Sequence, residues 1–415
     1  MTKIAIIGGG ASGLACAIEI MHSVAKREEV EVTILEKLPR VGKKILVTGN
    51  GRCNITNMNS AKSGYRGDTA FSSFALKEYT PEKNIEFFNE LGLYTREEDE
   101  GRVYPLSNQA ASVLDALRFE CERLGVKTIC DYRAVHLKTI NTGVTTKIVI
   151  NNRDRFDFVV MACGGKAAKV HGTDGDGYDM LKMFGHTIIS PAPALVSLNC
   201  EEFTKALKGV RSICRMDLII DGKKELENYG EVQFTDYGLS GIPIMQLSRF
   251  VSVSPSDDIK INLDVTPDFS KEQIMDYLIS RRSVDTGLCE NLLSGIMNKQ
   301  LCISLLKECG VPVNQRVNNL SDAELQKIAK IVKSWEIKVK NSRSFDYAQV
   351  TAGGADCKEF NDQTMESRFV KNLFCCGEVL NIDGDCGGYN LQWAWSSGRL
   401  AGKTIGERIN NAQNQ

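Results

Sequence analysis

The feature that most constrains this chain is a glycine-rich turn between two apolar runs near its start. Residues 4–7 predict a strand buried on both faces, and apolar residues recur at helical spacing over residues 15–25. Between them, Gly8 permits a tight turn, Gly10 lets the backbone approach a pyrophosphate, and Gly13 lets the helix pack against the sheet. The turn therefore predicts a dinucleotide site whose phosphates face a helix N-terminus.

A second apolar run, residues 32–35, predicts the next strand and ends at Glu36. A carboxylate in that position can accept hydrogen bonds from a ribose. A lone Gly-x-Gly-x-x-Gly would be weak evidence, since a chance glycine turn can have the same pattern. With strand, helix, second strand and terminal carboxylate all in order, the sequence favours a nucleotide site.

Charge and composition narrow the class of protein. The 415 residues carry a formal net charge of −1 at pH 7 and no basic run, so nothing indicates nucleic acid or an anionic membrane as a partner. The fourteen cysteines are scattered without zinc spacing, which is typical of a reduced protein without a metal site. No apolar run approaches the roughly 18 residues of a membrane span. Because the first predicted strand leaves no room for a signal peptide, we expect a cytoplasmic protein of undetermined oligomeric state.

A loop dense in glycine, amides and cations, residues 43–57, follows the second strand. Its composition also suits an ordinary surface turn. Its position in a nucleotide fold favours cofactor contact, with Arg52 or a lysine facing a phosphate or an electron-rich ring. Cys53 is the only cysteine between Cys16 and Cys121, so a redox dithiol in this loop does not fit the sequence.

The next stretch predicts two amphipathic helices, residues 81–91 and 110–124, on either side of a polar and aromatic loop that contains Arg102 and Tyr104. These two side chains can face a substrate, or the loop can be an ordered connector. Residues 134–163 then predict a three-strand antiparallel meander that ends in a buried run and the turn at Gly164. Residues 172–178 open another helix near the cofactor without forming a second nicotinamide site.

From residue 191 the pattern changes to short alternating strands. Asp221-Gly222 predicts a tight hairpin, and capping boxes at Ser270 and Ser321 each begin a helix in a segment that is predicted to be helical throughout. A last alternating run, residues 335–339, indicates that the chain returns to the same β unit. We therefore expect an inserted barrel or sandwich over 191–350, β-rich at 191–266 and 335–350 and helical at 267–334, which splits the first domain into 1–190 and 351–415.

The final segment completes the first domain. A buried strand near residues 372–378 is followed by Gly387-Gly388 and a helical stripe that starts at Leu391. A helix N-terminus after two glycines is a second place where backbone amides can hold negative charge. Two such helix ends, one at each terminus of the chain, suit an extended cofactor such as FAD, with the second dipole near the pyrimidine edge of the flavin.

Three motifs also carry a family resemblance. Residues 48–54 (TGNGRCN), 377–384 (GEVLNIDG) and 387–392 (GGYNLQ) resemble the signatures of the BaiN-like flavoproteins, a family that includes aminoacetone oxidases. The match runs nearly end to end. It implies an α/β fold: a Rossmann-like FAD-binding domain of the two-dinucleotide-binding type, interrupted by an inserted β-barrel-like domain with a helical subdomain.

The resemblance also implies which residues hold the cofactor. Carried over by position, Gly8, Gly10, Gly13 and Glu36 hold the ADP half of FAD, whereas Asn54, Glu378, Asp383, Gly388 and Asn390 lie near the flavin. Together with the residues of the three loops, the predicted cofactor-binding set is Gly8, Gly10, Ala11, Ser12, Gly13, Glu36, Lys37, Lys44, Gly51, Arg52, Cys53, Asn54, Gly164, Gly377, Glu378, Asp383, Gly387, Gly388, Tyr389, Asn390 and Leu391. The family's Thr-His-x-Gly is replaced here by Thr235-Asp236-Tyr237-Gly238, so Asp236 joins Arg52 and Tyr104 as a catalytic candidate.

The leading hypothesis is an FAD-dependent oxidoreductase with a small-molecule substrate. The flavin supplies the hydride chemistry, which is consistent with the lack of a Ser/His/Asp or Cys/His nucleophile pattern. NAD(P)H-dependent reduction of an activated double bond and oxidation of an amine with oxygen both remain open. Without a second nucleotide fingerprint, NAD(P)H would dock directly over the flavin. The alternative from another class is a non-catalytic nucleotide-binding sensor or scaffold.

Overall fold

The computed structural model describes residues 1–60, 63–141, 146–201 and 205–413. The chain divides into two compact units, one formed by Met1–Ala192 with Gln349–Gln415 and the other by Pro193–Ala348. The sequence analysis had placed the two domain boundaries between residues 190 and 191 and between residues 350 and 351. Among the described residues, no helix combines the length and the apolar character needed to cross a bilayer.

Both units are built from short strands and helices. In chain order the strands are β1 (Thr2–Ile7), β2 (Val30–Leu35), β3 (Thr56–Asn57), β4 (Tyr65–Gly67), β5 (Thr95–Glu97), β6 (Arg102–Pro105), β7 (Lys127–Ile129), β8 (Leu137–Asn141), β9 (Thr146–Ile150), β10 (Asp154–Phe156), β11 (Phe158–Met161), β12 (Ile188–Ala194), β13 (Leu198–Cys200), β14 (Arg211–Ile220), β15 (Lys223–Phe234), β16 (Gly238–Ser240), β17 (Ile259–Asp264), β18 (Trp335–Ser342), β19 (Val350–Ala355), β20 (Leu373–Cys375) and β21 (Ile382–Gly384). The α-helices are α1 (Ala11–Ser23), α2 (Thr69–Glu78), α3 (Pro81–Glu90), α4 (Ala110–Arg123), α5 (Asp176–Lys182), α6 (Ile242–Val253), α7 (Lys271–Val284), α8 (Lys299–Glu308), α9 (Asp322–Lys333) and α10 (Tyr389–Gln413).

The first unit is organised around a five-stranded parallel sheet in the order β20-β11-β1-β2-β7. Its central strands are continuous apolar runs because they are covered by other elements: α1 packs against β1 and β2, and strands β10 and β9 pack against β1 and β11. Ile4 and Ile6 are fully buried. Helix α1 packs closely against α10, where a Cβ added at Gly398 would lie 2.4 Å from the Ser12 carbonyl oxygen. The dinucleotide-binding fold predicted from the glycine-rich turn is confirmed.

Smaller sheets surround this core. Strands β8, β9 and β10 form an antiparallel meander, β3, β6 and β5 form a second sheet, and β12 with β19 and β4 with β21 form two pairs. The meander was predicted to end in the buried run at residues 158–163. That assignment was wrong, because the run is β11 and pairs in parallel with β1 and β20. The part of the predicted meander at residues 142–145 lies outside the described residues.

The second unit contains a closed six-stranded barrel in the order β13-β16-β15-β14-β17-β18. The predicted Asp221-Gly222 hairpin joins β14 to β15, with Ile220 opposite Lys223. Both turn residues have positive φ (50° and 75°), as a type I′ turn requires. The barrel alternative is thereby confirmed over the sandwich.

Two helices in the helical part of the second unit begin where the sequence predicted. Ser270 and Ser321 each form a complete capping box, at the start of α7 and α9 respectively. The segment between these caps had been predicted to be helical throughout, and that prediction was wrong. Residues 285–298 after α7 and 309–321 after α8 consist of turns, single 3₁₀ turns and irregular chain.

Candidate cofactor and active site

The predicted cofactor residues of the first unit converge at one edge of the parallel sheet. Strands β1, β2, β11 and β20 all point in the same direction. The segments that follow them therefore meet at their carboxyl ends, which is where open α/β sheets bind ligands. Those segments begin at Gly8, Glu36, Ala162 and Cys376.

The three motif glycines have different environments. A Cβ at Gly13 would lie 2.0 Å from the Gly8 carbonyl oxygen, so the close packing of α1 on β1 requires glycine there. Gly10 is different, since an added Cβ would meet no heavy atom within 4 Å and its φ of −88° suits any residue. Packing therefore does not require glycine at position 10, and the open space beside its backbone is compatible with the predicted approach of a pyrophosphate.

The first turn of helix α1 leaves its backbone amides available. No side chain caps it and its first turn contains no acidic residue. The first-turn amides of Ala11, Ser12 and Gly13 are thus placed to hold a phosphate. Ser12 is 6% exposed and packs at Gly377, where an added Cβ would lie 2.5 Å from its hydroxyl oxygen. This contact joins the turn after β1 to the segment after β20.

Glu36 is held in one orientation. One carboxylate oxygen (Oε2) accepts a hydrogen bond from the Gly9 amide at 2.9 Å, and the other (Oε1) accepts one from the Leu38 amide at 2.8 Å. The residue is 9% exposed. Because a carboxylate can accept about four hydrogen bonds, Glu36 keeps acceptor capacity for ribose hydroxyls.

The two predicted lysines lie in ion pairs with residues of other loops. Lys37 binds Asp174 and Asp176 of the segment after β11, and Arg133 binds the same two carboxylates. Lys37 thus fastens that segment to the sheet edge, and its charge is already compensated. Lys44 donates to Glu378 at 2.8 Å.

Glu378 connects three segments of the site. Its second oxygen accepts a hydrogen bond from the Thr351 amide at 2.8 Å, and the Thr351 hydroxyl oxygen accepts one from the Lys166 amide at 2.7 Å. A Cβ at Gly165 would lie 2.4 Å from that hydroxyl oxygen, so the backbone after Gly164 passes very close to Thr351. Thr351 was missed by sequence reasoning because nothing in its local pattern distinguishes it from another strand residue.

Two further polar groups in the segment after β11 lack hydrogen-bond partners among the described residues. The Tyr178 hydroxyl is one, in a residue only 4% exposed, and His171 Nδ1 is the other. Burial raises the pKa of Tyr178, with the Glu378 carboxylate acting in the same direction. Burial and the nearby Lys43 and Lys44 lower the pKa of His171. Buried polar atoms normally have partners, so both fit a polar ligand at this edge. Tyr178 lies in the stretch at 172–178 that the sequence placed near the cofactor, and His171 directly precedes that stretch.

The glycine- and asparagine-rich loop after β2 packs on β6. Gly51 has a φ of +83° and no atom near the position of an added Cβ. Asn54 is 6% exposed and its side-chain oxygen accepts a hydrogen bond from the Val103 amide at 3.2 Å. Cys53 is fully buried, and burial raises the pKa of its thiol to about 12. An uncharged, inaccessible thiol is a poor nucleophile.

Arg52 and Tyr104, two of the three catalytic candidates, lie together. The Arg52 guanidinium carbon is 3.9 Å from the centre of the Tyr104 ring. Its nitrogens also bind Glu98 at 2.5 Å and Asn108 at 2.7 Å. Arg52 thus holds Tyr104 in place while its own charge is compensated. The sequence left a phosphate or an electron-rich ring open as its partner, and the ring that it contacts is that of Tyr104. Burial raises the pKa of Tyr104, against the opposing effect of Arg102 and Arg52.

The turn before α10 is shaped by packing on β3. A Cβ at Gly388 would lie 2.4 Å from the Thr56 carbonyl oxygen, so glycine is required there even without a flavin. Asn390 clamps the preceding strand, since its side chain accepts from the Gly384 amide and donates to the Gly384 carbonyl, each at 2.8 Å. These two predicted cofactor residues thus have structural contacts of their own.

The remaining predicted residues of this region lie beside that turn. The Tyr389 carbonyl accepts a hydrogen bond from the Tyr65 hydroxyl at 3.1 Å, and Leu391 packs partly buried against the core. Asp383 is 3% exposed and lies opposite Arg66 in the β4–β21 pair. A Cβ at Gly387 would lie 3.3 Å from Arg102 Nε, which brings that turn next to β6.

The third catalytic candidate, Asp236, belongs to the second unit. It forms a salt bridge with Lys208 at 2.7 Å. The hydrogen bond from Lys208 lowers the pKa of this carboxyl group. At neutral pH Asp236 is therefore a carboxylate in a surface ion pair, which cannot donate a proton.

The carboxyl edge of the first unit fits FAD. It offers a helix N-terminus whose first turn contains no acidic residue, an open space at Gly10, an oriented ribose acceptor at Glu36, and buried polar atoms at His171 and Tyr178 that have no partner among the described residues. Phosphates, ribose hydroxyls and the polar ring edges of a flavin would satisfy these groups.

Comparison with known proteins places the chain among flavoproteins. Residues 2–404 match the family described as HI0933-like protein Rossmann domain. The chain is 38% identical to the 3-dehydro-bile acid delta(4,6)-reductase of Clostridium scindens, over 98% of this chain and 100% of that protein. It is 28% identical to the ribosomal RNA dihydrouridine synthase of Haemophilus influenzae, over 94% and 95% respectively. Among solved structures, a flavocytochrome c3 fumarate reductase is similar at a TM-score of 0.45 and 15% identity, covering 98% of this chain and 78% of that one. The chain therefore belongs to the HI0933-like family of FAD-binding Rossmann proteins and is an FAD-dependent oxidoreductase.

Proposed function

We propose that this enzyme uses NAD(P)H to reduce a conjugated carbon–carbon double bond in a small organic molecule. The observation that supports this most is the end-to-end similarity to a relative named as a delta(4,6)-reductase, at 38% identity. The name of the second relative points to the same bond type, since dihydrouridine is uridine with its ring double bond reduced. The proposal favours reduction over the amine-oxidase alternative because neither name describes an amine.

The residues of the first unit would hold the cofactor at the sheet edge. The α1 amides and the open backbone at Gly10 would take the pyrophosphate, and Glu36 would take the adenosine ribose. Bound FAD supplies hydride transfer at its N5 atom. The protein then needs only to orient the substrate, exclude water and provide one proton.

Tyr104 is the best candidate for that proton. Its raised pKa keeps the phenol protonated throughout the neutral range. The stacked guanidinium of Arg52, 3.9 Å from the ring centre, restricts the ring and stabilises the phenolate that forms when Tyr104 Oη protonates the carbon next to the carbonyl group. Solvent then returns a proton to the phenolate. The other candidate, Asp236, is a paired carboxylate and lacks a proton to donate.

NAD(P)H is proposed as a transient electron donor. The sequence carries one dinucleotide fingerprint, and its sheet edge matches the needs of FAD. A second nucleotide would therefore bind without a Rossmann site of its own, directly over the flavin. Oxygen as electron acceptor is the competing arrangement, and it would turn the same flavin into an oxidase.

A second candidate substrate is uridine in RNA. It is favoured by the similarity to a ribosomal RNA dihydrouridine synthase over 94% of this chain. The net charge of −1 and the lack of a basic run argue against a large RNA footprint, because such proteins bind phosphates with clustered Lys and Arg. The absence of a nucleic-acid partner stays a prediction.

The test is an anaerobic assay of the purified, FAD-loaded enzyme with NADH or NADPH. A steroid enone, a uridine-containing ribosomal RNA fragment and a primary amine are offered separately. We expect the nucleotide to bleach the flavin and the enone to restore its colour with formation of the saturated product. Recolouring by the RNA alone would select the second candidate. In a parallel sample without nucleotide, bleaching of the oxidised flavin by the amine, followed by hydrogen peroxide formation when air is admitted, would contradict the reductase proposal.

A further inference from the structure

The second unit carries an arginine whose environment differs from that of its neighbours. Arg211, Arg215 and Arg281 in the same unit each pair with a carboxylate. Arg343 instead contacts two tyrosine rings, with its guanidinium carbon 3.3 Å from the ring centre of Tyr347 and 4.3 Å from that of Tyr237. Within the described ranges, no carboxylate lies within 4.0 Å of the Arg343 guanidinium and no side-chain hydrogen bond engages it.

The backbone around this trio is fixed by hydrogen bonds. Arg343 follows β18 and its amide donates to the Ser197 carbonyl at 3.0 Å. The Tyr237 carbonyl accepts from the Cys200 amide at 2.9 Å, which anchors the turn between β15 and β16 to β13. The amide of Tyr347 donates to Ser344 at 3.0 Å, folding the chain back towards Arg343. The three side chains are therefore presented at one end of the barrel by ordered backbone.

This arrangement leaves the guanidinium edge available. Aromatic rings contact a guanidinium through its faces, while its five N–H donors point outward in its plane. Stacking restricts the side chain in advance, so less entropy is lost when a ligand is bound. A planar fork of donors matches an oxyanion with two oxygens, as in a carboxylate or a phosphate. Tyr347 is 59% exposed, so a ligand can reach the fork from solvent.

We propose that Tyr237, Arg343 and Tyr347 form an oxyanion-binding site for an acidic small molecule. Two sources share this chemistry, a phosphate on a nucleotide and a carboxylate on an organic acid. The site would select anionic ligands over neutral ones of the same shape. This proposal is independent of turnover, so it can be tested whether or not the reductase proposal holds.

The test measures binding to the FAD-loaded, full-length enzyme by isothermal titration calorimetry. Two probe pairs differ only in the anion: 2′-AMP with adenosine, and benzoate with benzamide. We expect at least one anion to bind about tenfold more tightly than its neutral partner, as one charge-assisted contact allows. The phosphate pair would identify a nucleotide as the source, and the carboxylate pair would identify an organic acid.

Variants assign the preference to this site. Arg343→Gln should reduce the anion preference to less than about twofold, and Arg343→Lys should keep part of it because the charge remains without the planar fork. Tyr347→Phe should bind like the wild type, since the ring rather than the hydroxyl contacts Arg343. The control Arg215→Gln removes the same charge elsewhere on the barrel and should leave the preference unchanged.

The proposal would be overturned if neither probe pair showed an anion preference, or if the preference persisted in Arg343→Gln. Because the Arg343 side chain has no hydrogen bond to another described residue, the Gln variant should fold, which its thermal melting curve will show. If the Gln variant does not fold, Arg343→Lys alone decides the test. A wild-type anion preference in Arg343→Lys, with the same salt dependence of binding, would then contradict a role for the planar guanidinium.

Discussion

Replacing Gly10 by alanine should separate cofactor binding from folding. In the protein alone, an added Cβ meets nothing within 4 Å and the φ of −88° suits alanine. Loss of chain entropy in the unfolded state stabilises such a variant by about 0.4–1 kcal/mol, while alanine is a poorer N-cap than glycine by a similar amount. These effects oppose each other, so the apoprotein should keep its stability to within about 1 kcal/mol.

The same substitution should greatly weaken FAD binding. A methyl group at Gly10 would occupy the space through which the phosphates reach the α1 amides. Losing two charge-assisted hydrogen bonds costs about 3–6 kcal/mol, which corresponds to roughly 10²- to 10⁴-fold in the dissociation constant.

The matched control is Gly13→Ala, in which the Cβ would lie 2.0 Å from the Gly8 carbonyl oxygen. This variant should lose folding stability as well as FAD. The flavin-to-protein ratio comes from visible absorbance, and apoprotein stability from urea unfolding. If Gly10→Ala held FAD with wild-type affinity, the pyrophosphate placement would be refuted. If its apoprotein were destabilised as much as that of Gly13→Ala, Gly10 would be a packing glycine.

Four other substitutions test the remaining contacts. Glu36→Gln should weaken FAD binding by about 1.5–3 kcal/mol, measured by equilibrium dialysis, because a charged ribose acceptor becomes neutral and because its NH2 group cannot accept from one of the two amides, Gly9 or Leu38, that the carboxylate binds; unchanged affinity would move the ribose elsewhere. Tyr104→Phe should slow substrate reduction by about 10²- to 10⁴-fold and leave flavin reduction by NAD(P)H unchanged in stopped-flow assays. In the wild type, the rate of substrate reduction should fall only in alkaline solution, above the ordinary phenol pKa of about 10. Cys53→Ser should retain most activity, and the native thiol should resist iodoacetamide, because it is buried and protonated. A loss of activity of about three orders of magnitude with FAD still bound would contradict this expectation. Gln392→Leu should reduce the free energy of unfolding by about 2–4 kcal/mol in urea, because the buried Gln392 amide bonds four groups; a loss below about 0.5 kcal/mol would show that the network relaxes.

Patterns that depend on local chain geometry predicted the fold well. The glycine-rich turn, the Asp221-Gly222 hairpin and the capping boxes at Ser270 and Ser321 all form as expected. Each depends on residues that are close in sequence, so their geometry can be recognised without knowing the partner strands. Strand pairing was harder. The run at residues 158–161 could join the meander before it or the central sheet, and only the tertiary structure shows that it pairs with β1.

The candidate site shows the same limit. The carboxyl edge gathers Gly8, Glu36, Gly164 and Gly377 because the parallel strands before them end together. The sequence predicted this for Gly8 and Glu36, whereas the strand before Gly164 had been assigned to the meander. Charge pairing was not visible in the sequence. Lys37, expected at the cofactor, is paired with Asp174 and Asp176 more than 130 residues later.

Packing contacts over long sequence separations also changed two interpretations. Arg52, for which a phosphate or an electron-rich ring was expected, lies over the Tyr104 ring and binds Glu98. Gly388 is required by the backbone at Thr56, so a substitution there would disturb packing as well as any effect on a flavin. Tyr178 and His171 were missed as individual residues because an unpartnered buried atom is a property of the folded environment.

The central claim is that FAD binds at this sheet edge and delivers hydride to a conjugated double bond. The most direct measurement is single-turnover reoxidation of the enzyme, reduced with one equivalent of NADPH without oxygen and then mixed with a steroid enone in a stopped-flow spectrometer. The account predicts that the oxidised flavin spectrum returns in a single turnover with one equivalent of saturated ketone, and that Tyr104→Phe slows this phase alone. A purified protein without a flavin spectrum, or a reduced flavin that only oxygen reoxidises, would contradict it.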